Sequence, residues 1–251
     1  MSKMSDMTEY HASAYRLPSG FEHCSKLKPV AEAATALDRV KAVVDVLYSP
    51  GGCPWDAAQT HLSIRRNFLE EAYEAVDAID LNDPELLCEE LGDVMMQVVF
   101  HAQIEREAGH FTFDEVCDGV CRKLIERHPH IFGGDESIKD WDSLKNKEKG
   151  RLTLADDLES VPKALPALMR AAKLQKRAAR YGVQTEAAAD TVAAAAAAVE
   201  TAPDKARAEQ AMGQLLFAAA ALARSAGIDP EQALQKCNAA FTTAHADNPE
   251  S

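Results

Sequence analysis

Between Leu37 and Arg127 the apolar residues fall into four runs of helical period, each closed by its own stop signal. Leu37, Val40, Val44 and Leu47 form the first run, which Ser49-Pro50-Gly51-Gly52 breaks. Over Thr60 to Ile79 the second run places Ile64, Phe68, Ala72, Ala75 and Ile79 on one stripe. Asp83-Pro84-Glu85 reads as the start of the third helix: the aspartate accepts free N–H groups of the first turn, proline at the first helical position loses no hydrogen bond, and the glutamate sits at the positive end of the dipole. That helix runs to about Ala108, before Gly109, and Thr112-x-x-Glu115 is a capping box that opens a fourth running toward Arg127 until Pro129 ends it. No strand-like alternation is convincing anywhere, so the pattern predicts an all-α chain whose residues 34–134 form a four-helix-bundle-like domain.

The second half repeats this outline. Leu91-Gly92-Asp93-Val94-Met95-Met96 has a counterpart in Met212-Gly213-Gln214-Leu215-Leu216-Phe217, Ala193 to Ala198 is an alanine run of high helix propensity, and Gly227, Asp229 and Pro230 mark a further helix junction. Residues 1–33 hold Pro18, Gly20 and Pro29 without a sustained period, which predicts a poorly ordered extension. Residues 135–165, with Trp141, Lys145, Lys147, Lys149 and Pro162, read as a charged linker; residues 166–246 form the second domain, and residues 247–251 a tail.

With 27 basic and 40 acidic residues, the net charge of −13 opposes wrapping a nucleic acid or lying on an anionic membrane, since both require a clustered positive field. The chain is expected to have neither as a partner. Its first twenty residues lack the features of a secretory signal, and no long uninterrupted apolar run suggests a membrane span, so the expected location is the cytoplasm. The six cysteines include no Cys-x-x-Cys pair, and each reads as a small apolar residue.

Ten acidic residues lie between Arg65 and Asp93, and four of them stand where a solvated face should not be. Glu71 and Glu74 flank the apolar stripe of the second helix, Glu71 the nearer; Glu90 and Asp93 lie just before a stretch of the third helix apolar on almost every side. A spacing of three puts both acids of each pair on one side of a helix, roughly 5–6 Å apart at Cβ, which suits two ligands of one cation. All-oxygen donors favour Mg²⁺ or Mn²⁺ over zinc or copper. Surface acids balanced by Arg65, Arg66 and solvent satisfy the same spacing, so spacing leaves both readings open.

A ferritin-like di-iron centre would need Glu-x-x-His on two helices, and that motif does not occur in this region. His101, two turns beyond Asp93, reads as a satisfied interior histidine. Lys123 and Arg127, four apart, form either a positive edge for an anion or an ordinary solvated face. The loop Gly51-Gly52-Cys53-Pro54-Trp55-Asp56 presents an aromatic ring that either covers a base or anchors packing. There is no Gly-rich phosphate loop of the Walker type.

Taken in order, Gly52-Cys53-Pro54-Trp55-Asp56 with Gln59-Thr60, Leu69-Glu70-Glu71-Ala72-Tyr73-Glu74, Glu89-Glu90-Leu91-Gly92-Asp93, and Lys123-Leu124 through Arg127-His128-Pro129-His130-Ile131-Phe132 resemble the MazG family of nucleoside triphosphate pyrophosphohydrolases, from about Ala34 to Ala244. The resemblance implies an all-α enzyme that hydrolyses a nucleoside triphosphate to the monophosphate and pyrophosphate with Mg²⁺, or Mn²⁺. By residue-wise transfer, Glu71, Glu74, Glu90 and Asp93 are the metal ligands. Glu70 and Glu89 are catalytic residues that orient water or a second cation. Lys123 and Arg127 contact phosphate, and Trp55, Asp56 and Gln59 lie on the substrate side.

Tandem members of the family repeat the acidic motifs, and here the repeat has lost them. Ala194, Ala195 and Ala198 occupy the first motif's glutamate positions, and Ala211 and Gln214 replace the second motif's Glu and Asp. Ala240 and Ala244 stand where the first half has Lys123 and Arg127. The second domain is therefore expected to be catalytically dead and to serve as a scaffold or dimerisation module in a homodimer. Two alternatives are carried: a helical nucleotide-binding or regulatory module without turnover, and a related phosphoribosyl-ATP, dCTP or dUTP hydrolase.

Overall fold

The structure is a computed structural model and describes residues 15–133 and 153–246. All its regular elements are helical among those residues, and the chain divides into two compact units, Met1–Gly133 and Gly134–Ser251.

The first unit contains α1 (Lys28–Ala31), α2 (Ala36–Tyr48), α3 (Pro54–Ala57), α4 (Arg65–Leu81), α5 (Pro84–Glu107), α6 (Phe113–Glu126) and α7 (Pro129–Phe132). The caps at Asp83 and Thr112 are those the sequence predicts, and Thr35 adds another. Thr35 accepts from the Asp38 N–H, Asp83 accepts from the N–H groups of Glu85 and Leu86, and Thr112 with Glu115 forms a complete capping box. Asn82, left-handed at φ 54°, ends α4 and turns the chain directly into α5, so these two helices pack as a hairpin. After α2 the chain folds back so tightly that a Cβ on Gly52 would lie 2.2 Å from the Leu47 carbonyl oxygen; only glycine fits there.

Helix α5 is the axis of the unit. It packs along α4 and also against α2 and α6, and its Val99, Phe100 and Ala102 join Val44, Ile64 and Phe113 in the core. The apolar stretch Val94–Phe100 of α5 predicts that this part of the helix is largely buried, and the structure departs from that at Met95, which is exposed. The α4 stripe likewise ends early, because Ile79 is exposed and Ala78 takes the buried position one residue before it.

Residues 15–33 correct the expectation of a poorly ordered extension. Val30 is 1% exposed, Tyr15 lies under the Arg39 guanidinium at 4.1 Å, and the Lys26 ammonium donates to the Gly51 carbonyl at 2.6 Å. These are tertiary contacts, so no local period announces them. Residues 1–14 of that extension lie outside the described residues.

The second unit contains α8 (Leu154–Glu159), α9 (Ala167–Arg180), α10 (Ala189–Glu200), α11 (Lys205–Ser225) and α12 (Pro230–His245). The described part of the expected linker is packed structure. Thr153 caps α8, Asp157 is fully buried, and Arg177 on α9 meets its carboxylate at 2.9 Å and its carbonyl at 2.5 Å. Residues 135–152 of that linker, and residues 247–251, lie outside the described residues. Helices α10 and α11 pair along their length, and α9 packs on α11, where Gln175 donates to the Phe217 carbonyl at 2.8 Å. Among the described residues no single helix is long and apolar enough to cross a membrane.

Candidate metal centre

The α4–α5 hairpin places the two acidic pairs on facing helices. Carboxylate oxygens of Glu71, Glu90 and Asp93 lie within 4.8 Å of one another, and all three residues are half-buried. Glu74, one turn beyond Glu71, is exposed. It stands beside the cluster, since its charge acts on both Glu71 and Glu90.

Crowded anions lose hydration and repel one another, and both effects bear on the carboxyls of this site. Desolvation, then the charge of Asp93, pushes the Glu71 carboxyl above its ordinary value; a hydrogen bond from Gln97 works the other way. Desolvation, then Glu74, Asp93 and Glu89, pushes Glu90 up as well. Gln97 reaches Glu71 Oε1 through its amide Nε2 at 3.4 Å, a long contact, and its own Oε1 is buried without a hydrogen-bond partner. Three mutually repelling carboxylates beside an unsatisfied amide oxygen form an all-oxygen donor set that a hard dication would satisfy.

The other residues singled out in the sequence are distributed unevenly. Glu70 is exposed and paired with Arg66 at 2.7 Å, and Glu89 is exposed beside Glu90. Trp55 is 63% exposed at the first turn of α3. Asp56, by contrast, is buried next to Tyr48, whose hydroxyl is held protonated to higher pH by burial and by that carboxylate. Gln59 donates to the Trp55 carbonyl at 2.8 Å and accepts from Ser63 Oγ at 2.7 Å, so its amide closes the loop. Lys123 is exposed on α6, whereas Arg127, which closes that helix, is only 7% exposed. Of the expected substrate-side groups, Trp55 and Lys123 are open to solvent, and Asp56 and Arg127 are held in the fold.

Sequence reasoning did not single out Gln97. Its signal was available, because it lies one helical turn beyond Asp93 on the same face of α5. The partners of His101 were missed too: it meets His61, which in turn meets Glu105.

The model of the MazG nucleotide pyrophosphohydrolase domain matches residues 59–132, which include both acidic pairs, Lys123 and Arg127. Over 84% of this chain and 84% of the relative, the sequence is 37% identical to the nucleoside triphosphate pyrophosphohydrolase/pyrophosphatase MazG of Thermotoga maritima. It is 38% identical to the nucleoside triphosphate pyrophosphohydrolase of Escherichia coli strain K12 over 82% of this chain and 84% of that protein. With the nucleoside triphosphate pyrophosphohydrolase of Mycolicibacterium smegmatis it shares 40% identity, over 58% of this chain and 46% of that protein. An all-α chain with facing acidic helices, matched over most of its length by such relatives, belongs to the MazG family.

Proposed function

We propose that this chain hydrolyses nucleoside triphosphates to nucleoside monophosphate and pyrophosphate, as a house-cleaning activity on the nucleotide pool, and that Glu71, Glu90 and Asp93, with Glu74 beside them, hold Mg²⁺, or Mn²⁺ in its place. The observation that carries the reading is the convergence of three half-buried carboxylates within 4.8 Å of one another. A hard dication there supplies charge neutralisation for the triphosphate and Lewis acidity at phosphorus.

The chain's own residues do the rest. Glu70 and Glu89, each adjacent to a ligand, orient the attacking water and take up its proton while the phosphoanhydride bond breaks and pyrophosphate leaves. Exposed Trp55 offers a face for a base, and Lys123 a charge for phosphate. Gln59 and Asp56 act behind them, by fixing the loop, and Arg127 by fixing the end of α6.

The test is pyrophosphate release from a panel of canonical and damaged triphosphates with Mg²⁺ and with EDTA, for the full chain and for Glu90→Gln. Release with Mg²⁺ only, abolished in the variant while its helical circular dichroism persists, is expected. Near-wild-type turnover of Glu90→Gln at saturating Mg²⁺ would remove the acids from the mechanism. Tight nucleotide binding without turnover would favour the regulatory-module reading.

The second unit enters this reading as a non-catalytic module. Ala211 is buried on α11, and Gln214, in place of an acid, lines a largely apolar cavity of about 460 Å³ with Gln210, Thr191 and Phe217. A homodimer in the cytoplasm completes the proposal. Leu69, Tyr73 and Val76 on α4 and Leu91 and Met95 on α5 are exposed apolar groups of the kind a second copy covers.

A further inference from the structure

Beyond the acidic cluster, the first unit holds a second group of titratable side chains. His61, in the turn before α4, has its Nδ1 2.7 Å from Nδ1 of His101 on α5 and its Nε2 2.5 Å from Glu105 Oε1. The other oxygen of Glu105 lies 2.6 Å from His110 Nδ1, beyond the end of α5. The two imidazoles are nearly coplanar and meet edge to edge through their Nδ1 atoms, with centroids 5.0 Å apart and planes 10° from parallel, and Phe68 of α4 meets His101 edge-on at 5.6 Å.

Hydrogen-bond bookkeeping fixes the polarity of this chain of contacts. A carboxylate only accepts, so His61 must carry its proton on Nε2. In the neutral ring its Nδ1 is then an acceptor, and His101 donates from Nδ1. Only one proton can lie between the two Nδ1 atoms, so the contact is a directional clasp between the turn before α4 and the middle of α5.

The position of the clasp relates it to the acids. His101 lies one helical turn from Gln97 on the same side of α5, and Phe68 lies one turn from Glu71 on α4. Gln97 and Glu71 touch, as do His101 and Phe68. The clasp therefore braces the α4–α5 interface one layer below the carboxylates. It also anchors the end of the loop that carries Trp55 and Gln59.

We propose that His61 and His101 are positioning residues of the metal centre: their hydrogen bond, backed by Glu105, sets α5 against α4 so that Glu71, Glu90 and Asp93 converge on one cation. The proposal rests on the metal-site reading above. Outer groups that orient ligands of a site change its metal affinity by about 10- to 100-fold when removed.

The experiment is a titration of the full chain with Mn²⁺ at neutral pH, followed by electron paramagnetic resonance, with helicity checked by circular dichroism. His101→Ala should weaken Mn²⁺ binding by about tenfold or more, and His101→Asn, whose amide can replace the Nδ1 contact, should restore most of the affinity. His61→Phe keeps an aromatic ring in the turn before α4 and removes both hydrogen bonds, so it should weaken binding as His101→Ala does, and it serves if the alanine variant fails to fold. Wild-type affinity in His101→Ala or His61→Phe, or no recovery in a folded His101→Asn, overturns the proposal and leaves the metal site standing. If Glu90→Gln binds Mn²⁺ as tightly as the unmutated chain, or the unmutated chain binds none, the metal-site reading falls and takes this proposal with it.

Discussion

Nε2 of Gln97 lies 3.4 Å from Oε1 of Glu71, across the interface between α5 and α4, while Oε1 of the same amide is buried without a partner. The amide therefore favours the charged form of a carboxylate that burial and Asp93 push toward protonation. Replacing Gln97 with methionine, similar in length and apolar, removes that support and the unsatisfied oxygen together. The fold should gain or hold stability, and the Mg²⁺ concentration for half-maximal pyrophosphate release should rise by about tenfold. Thermal melting and a Mg²⁺ titration of turnover check the two halves of this prediction.

Removal of the cation should leave a pH signature. Glu71 and Glu90 are raised above their ordinary values, so between those values and the raised ones the folded chain binds more protons than the unfolded chain. Metal-free stability should therefore increase as pH falls through that window and decrease as pH rises. Saturating Mg²⁺ should flatten this trend and raise the melting temperature most at the alkaline end, because bound ligand stabilises by mass action. Melting with EDTA against melting with Mg²⁺ across pH measures it.

His101 should contribute the opposite slope. Burial, and secondly the charge of His61, holds its imidazole below the ordinary histidine value, so the unfolded chain takes up the proton first as pH falls. The stability it contributes is full above the ordinary value and is lost as pH drops through it. The groups that meet His101 do not reverse this: His61 acts in the same direction, and α4 offers the uncharged Phe68 ring. With Mg²⁺ saturating, His101→Asn should show a shallower loss of melting temperature on acidification than the unmutated chain.

The second unit has its own vulnerable point. Arg177 is the partner of Asp157, a fully buried carboxylate, and it also donates to the Asp157 carbonyl and to Ser160 Oγ. Arg177→Ala would strand the charge, at a cost of about 3–5 kcal/mol. Arg177→Ala combined with Asp157→Leu should recover much of that loss. Urea unfolding of the single and double variants tests the pair, and an equal loss in both would show that packing of the long side chain dominates.

The division between sequence and tertiary structure follows from the range of the forces involved. Helix class, the starts at Thr35, Asp83 and Thr112 and the turn between α4 and α5 depend on residues within a few positions of one another, so period and capping chemistry specify them. The spacing of Glu71, Glu74, Glu90 and Asp93 put each pair on one helix side, but two helices must pack before any carboxylate meets one from the other pair. Only that packing drew Glu71 to Glu90 and Asp93 with the exposed Glu74 beside them, buried Asp56 and Arg127, seated Val30 against the fold, and joined His61 to His101 across forty residues of chain. Burial and long-range contact are properties of two surfaces at once, and a linear pattern describes one.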